Sequence, residues 1–147
     1  MRLKITISLF LIQLLLNSGC SCNAFSKRIQ LSERYYLIGE GNSVNRSCVV
    51  DKDGKEVIPP IVSAFWGNYP LFYGQALEQQ SGSYYFFVLD VDTGALKTGD
   101  INAELAKHAL KPFGGYEQIS FAEYFSHDSS VDRNRIQRFK ENMRINE

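Results

Sequence analysis

Four acids in two short stretches are the residues of this chain best placed to do chemistry. Asp90 and Asp92 sit in VLDVDTGA, and Asp51 and Asp53 sit in VVDKDGKEV. Two carboxylates behind an apolar strand can share one proton and activate water. They can also offer oxygens to calcium, which wants about six or more of them and a closing glutamate at the end of its loop. His127 beside Asp128 has the composition of an acid–base pair, whereas His108 falls at the edge of an apolar helix face. Cys48 lies in a strand pattern without an activating helix N-terminus. The two acidic stretches have the same form: two apolar residues, Asp-x-Asp, then glycine. That shared form reads as two hairpin turns built by one rule, with the first aspartate accepting from nearby backbone and the glycine free to take positive φ. No catalytic residue is therefore expected. There is no CxxC and no Cys/His cluster, so no metal or other cofactor is expected either.

Two enzyme families share fragments of this pattern. Asp92-Thr93-Gly94-Ala95 resembles the catalytic loop of retroviral-type aspartic proteases, which implies one carboxylate from each of two subunits. The strands that should follow are replaced by helical patterns, and FGGY is a poor substitute for the apolar-apolar-Gly element. The same DVD resembles the haloacid dehalogenases, but too little chain remains for their doubly wound core. A small envelope hydrolase using Asp90, Asp92 or His127 stays as the alternative reading, and it requires those side chains to converge in a cleft.

The N-terminus carries a stronger pattern. Met1, Arg2 and Lys4 precede the apolar run ITISLFLIQLLL, which ends in NSGC. A positive head, an apolar stretch of about 7–15 residues and a small-residue exit define a secretory signal peptide. The run is short of the ~20 apolar residues that span a bilayer. Ser18-Gly19-Cys20 resembles the lipobox of bacterial lipoproteins, although Asn17 stands where that family carries leucine. The resemblance implies cleavage before Cys20, acyl chains such as palmitate on that cysteine, and a lipid-anchored place in the cell envelope. Ser21 is similar to the second residue of lipoproteins sorted to an outer membrane. Cleavage after Ala24, behind the small pair Cys22 and Ala24, would instead release a soluble secreted protein. The reading divides the chain into a signal peptide over 1–19, a lipid-anchored tether over 20–32 and one domain over 33–147.

A mature part of ~125 residues has the commonest domain size. The precursor is neutral, and removing Arg2 and Lys4 leaves sixteen acids against fourteen bases. That balance lacks the basic footprint of a nucleic-acid binder. In an oxidising compartment Cys22 and Cys48 form a candidate disulfide. Asn45-Arg46-Ser47 matches a glycosylation acceptor, which carries little weight in a bacterial lipoprotein.

The elements that must position these residues start at RYYLIG, Arg34 to Gly39, read as the first strand. Cys48 to Val50 and Lys55 to Ile58 form a hairpin, ended by Pro59-Pro60. Ile61 to Trp66 and Leu71 to Leu77 are strands about a Gly67-Asn68 turn. YYFFVLD, Tyr84 to Asp90, lacks alternation and is expected to be central and covered on both faces. Ala95 to Lys97 starts the return. Asp100 is expected to cap a helix carrying Ile101, Leu105 and Ala109. Ser120 and Glu123 form a capping box for a short helix, Phe121 to Phe125. A last helix, Val131 to Ile145, shows a stripe of Ile136, Phe139 and Met143. Strands first and helices later predict an α+β fold: one small, mainly antiparallel sheet of about 5–7 strands, then two or three C-terminal helices.

Aromatics crowd the middle of the chain. Most must fill the core, but Trp66, Tyr69 and Tyr73 are candidates for an exposed binding patch, because such residues are favoured at interfaces. The functional expectation is a non-enzymatic, membrane-tethered domain that binds an envelope protein partner, of the immunity, inhibitor or assembly-accessory type.

Overall fold

The computed structural model describes residues 27–39, 47–59, 62–78, 80–100 and 118–146. These contain two four-stranded antiparallel meanders and two helices, an α+β arrangement. The first sheet runs β1 (Lys27–Gln30), β2 (Tyr35–Gly39), β3 (Ser47–Asp51) and β4 (Glu56–Ile58). The second runs β5 (Val62–Asn68), β6 (Leu71–Leu77), β7 (Tyr84–Asp90) and β8 (Leu96–Asp100). The single sheet expected from sequence is thus two sheets, and the first ends at β4, directly before Pro59. Proline cannot donate to a ladder, so pairing stops there and a new sheet begins. The sheets approach along β3 and β5, where buried Ser47 Oγ donates to Val62 O at 2.8 Å.

Both acidic turns use one device. Asp51 Oδ1 accepts from the N–H of Asp53 at 3.0 Å and of Lys55 at 2.8 Å. Asp90 Oδ1 accepts from the N–H of Asp92 at 3.0 Å and of Thr93 at 2.9 Å. Gly54 and Gly94 follow at φ 81° and 80°, a region that costs glycine nothing. In β7 the faces differ more than its unbroken hydrophobicity suggests. Phe87 and Leu89 are fully buried, Phe86 and Val88 half-buried, and Tyr84 at the strand's start is 52% exposed. β7 is interior to its sheet, as expected, but it is not covered on both faces.

Two further boundaries move. Lys27–Gln30, expected as tether, is the edge strand β1, and it buries Ile29 and then Leu31. Asp100, expected as a helix cap, ends β8; the helix predicted after it, with His108, lies outside the described residues. The signal region, Cys20 and Cys22 lie outside them too, and so does any bond from Cys22 to the buried Cys48.

The helices pack where β5 needs cover. Ile119 exchanges two 2.9 Å hydrogen bonds with Phe65, closing part of the outer edge of β5. The next residue, Ser120, caps α1 (Phe121–Phe125) with both bonds of the capping box present. Asp132 caps α2 (Arg133–Met143), whose buried stripe is Ile136, Phe139 and Met143. Phe139 meets the rings of Phe65, Trp66 and Tyr124 at centroid distances of 5.3, 5.7 and 6.1 Å. An ion pair of 2.6 Å between Arg135 and Glu123 joins the two helices. No described helix is long and apolar enough to cross a membrane.

Candidate functional site

Four turns and ends meet at one end of the molecule. The β1–β2 turn supplies Ser32 and Arg34, the β5–β6 turn Tyr69, the β7–β8 turn Asp92, and the end of α2 Arg144. They line a groove of about 460 Å³. Backbone and side-chain bonds pin the turns together. Val91 N donates to Pro70 O at 2.9 Å and Tyr69 N to Asn142 O at 3.0 Å. Ser32 Oγ donates to Val91 O at 3.2 Å, and Arg34 Nη1 to Asp92 O at 2.7 Å.

Tyr69 is the centre of this groove. The β5–β6 turn falls at Tyr69-Pro70, joined by a cis peptide, rather than at the expected Gly67-Asn68, which belongs to β5. The phenol donates to Asp92 Oδ1, and the guanidinium of Arg144 lies 4.5 Å from the ring centroid. The hydrogen bond to Asp92, then burial, then the Asp92 charge hold the Tyr69 phenol above its ordinary range; Arg144 pulls the other way. The phenol therefore stays protonated at neutral pH and acts as a donor. Arg144 itself occupies the left-handed region, φ 58°, at the C-cap of α2. Glycine usually takes such a position, because a side chain there is strained.

The residues nominated from sequence separate in this geometry. Trp66 and Tyr73, expected on a surface patch, are 2% and 0% exposed and belong to the core. They are cross-strand partners in the β5–β6 ladder, so both turn inward. Tyr69 alone of the three reaches a groove. Asp90 and Asp92 do not act as a pair. The Asp90 carboxylate is taken by backbone amides, chiefly that of Thr93, which hold it below the usual carboxylate range. The Asp92 carboxylate accepts from Tyr69 instead. His127 lines a different groove, and its neighbour Asp128 accepts from Ser130 N at 2.8 Å, which lowers its pKa. The convergence that the hydrolase alternative requires is absent among the described residues. No group of three metal-ligating side chains occurs among them either.

A second groove, of about 430 Å³, adjoins the first and shares Gln30, Ile145 and Asn146 with it. β1, the end of α1, the α1–α2 connection and α2 form its walls. Arg34 and Arg144 went unnominated from sequence. One signal was available for Arg144: an arginine where a helix ends and glycine is favoured.

No protein-family model matches this chain, and comparison with curated proteins and with solved structures finds no match.

Proposed function

We propose that this chain is a lipid-anchored protein of the cell envelope, held through Cys20, whose domain binds a protein partner without acting on it chemically. The observation that carries the binding reading is the Tyr69 groove. An aromatic ring is held between a hydrogen-bonded carboxylate and a stacked guanidinium, where four separate segments converge. Tyrosine and arginine on rigid supports are the residues that dominate binding energy at interfaces. The same geometry speaks against catalysis: the phenol is locked as a donor, and Asp90 is consumed by its own turn. The anchoring half of the reading rests on the lipobox-like Ser18-Gly19-Cys20.

A photo-crosslinking amino acid placed at position 69 in cells tests the binding half. Adducts with a defined partner are expected from position 69 and not from position 81, in the β6–β7 turn at the opposite end of the second sheet. Equal adducts from both positions, or none from 69, would overturn it. Acyl labelling tests the anchor: Cys20→Ser is expected to abolish it, and unchanged labelling would remove Cys20 from this role.

A further inference from the structure

The second groove carries Lys27, Arg28, Arg133 and Lys140 with His127, and no described acid lines it. Without the signal peptide the chain has sixteen acids and fourteen bases, so a groove lined by four cations and no described acid runs against the slightly acidic balance of the whole. We propose that this groove docks the domain onto anionic phospholipid at the membrane surface, a proposal that rests on the anchoring reading above.

Three observations favour a bilayer over a small anion. First, Lys27 Nζ lies 5.0 Å from the Phe125 ring centroid and Lys140 Nζ 5.5 Å from that of Tyr124. Cations over half-buried aromatic rings suit the headgroup level, where amphipathic rings collect. Second, the Arg133 guanidinium donates one N–H to Ser126 O, which leaves fewer of its donors for a single phosphate. Third, only six residues separate Cys20 from Lys27. At ~3.3–3.6 Å per residue the anchor holds Lys27 within about 25 Å of the acylated cysteine. Each cation at an anionic surface strengthens partitioning about fivefold.

The test uses the chain from Ser21 onward, which keeps every described core residue, Ile29 to Met143. It is sedimented with phosphatidylcholine vesicles, alone or with about one third phosphatidylglycerol. Binding is expected only with phosphatidylglycerol and should be lost at high salt. Lys27→Gln with Lys140→Gln, whose ammonium groups lie over the neighbouring rings of Phe125 and Tyr124, should lower partitioning about 25-fold. Lys52→Gln with Lys55→Gln, in the β3–β4 turn outside the lining of this groove, should change it far less, and Trp66 emission reports that each variant is folded. Equal binding to both vesicle types, equal loss in both double variants, or displacement by inorganic phosphate at matched ionic strength would overturn the proposal. Acyl labelling of Cys20 in the full chain is scored separately. Its absence with vesicle binding intact removes the anchor and leaves the docking surface.

Discussion

Gly74→Ala should be among the most damaging single-methyl changes in this protein, and Gly99→Ala nearly silent. Gly74 lies on β6, opposite Phe65 on β5 and Phe87 on β7. A Cβ there would sit 2.2 Å from Ala64 O and 2.9 Å from Phe65 Cα. Both are backbone atoms, so no rotamer change relieves the clash. Normal C···O contact is ~3.3 Å, so the strands must part by about 1 Å. Overpacking of this kind costs ~1–3 kcal/mol. Weakening two ladder hydrogen bonds adds about 1–2 kcal/mol, and the gain from replacing glycine in a strand offsets about 0.5–1 kcal/mol. The net loss is about 3 kcal/mol, a large share of the ~5–15 kcal/mol that holds a domain together. At Gly99, on β8, an added Cβ meets nothing within 4 Å. Urea unfolding followed through Trp66, the single tryptophan and 2% exposed, measures both variants. With an m-value of about 2 kcal/mol/M, the Gly74→Ala midpoint should fall by about 1.5 M. A midpoint matching that of Gly99→Ala at unchanged m would mean that β5 and β6 do not meet in this register, and the placement of the β5–β6 turn at Tyr69 would fall with it.

Three further outcomes are expected. Phe139→Ala removes a fully buried ring shared by β5 and α1 and should cost ~3–5 kcal/mol, with a red shift of Trp66 emission. A loss below about 1 kcal/mol would show that α2 is not seated on β5. Burial raises the Tyr73 phenol above its ordinary range, and burial with the Glu56 and Glu78 charges raises Tyr85. The unfolded chain releases these protons near pH ~10 while the folded chain keeps them, so their stabilisation is complete below that pH and declines above it. Urea midpoints measured against pH should show that decline, and Tyr73→Phe should flatten it. Arg144→Gly relieves a left-handed side chain worth ~1–2 kcal/mol and loses a ring contact worth ~0.5–2 kcal/mol, so the urea midpoint should barely move. Crosslinking from position 69 should nonetheless weaken.

Local signals in the sequence carry much of the fold. The two Asp-x-Asp turns, the Ser120–Glu123 box and the α2 stripe each depend on residues within a few positions of one another, and all four occur. The division into two sheets depends on pairings that no short window contains. Pro59-Pro60 reads equally well as a pause within one sheet and as the passage between two. β1 shows how composition misleads at an edge. SCNAFSKRIQLS is polar overall, yet Arg28 and Gln30 alternate with Ile29 and Leu31, the period-two pattern of a half-buried strand. Edge strands carry charge on their open face, so mean polarity hides them.

The site was less legible, for a reason visible in β5. Adjacent Phe65 and Trp66 are both buried, and both rings meet Phe139 of α2. Aromatic residue type therefore could not separate core from surface, and Trp66, Tyr69 and Tyr73 look equivalent as a string. Turn chemistry does separate them. Proline cannot continue the ladder, so Pro70 places the bend at Tyr69-Pro70 and leaves Tyr69 at the tip while Trp66 and Tyr73 face each other below it. The partners of Tyr69 come from Asp92 and Arg144, tens of residues away, and a reader of the chain meets them as a turn acid and a helix-surface base. Arg144 is the informative exception. A left-handed C-cap favours glycine, so an arginine there must be held by a contact elsewhere, and the ring of Tyr69 is that contact.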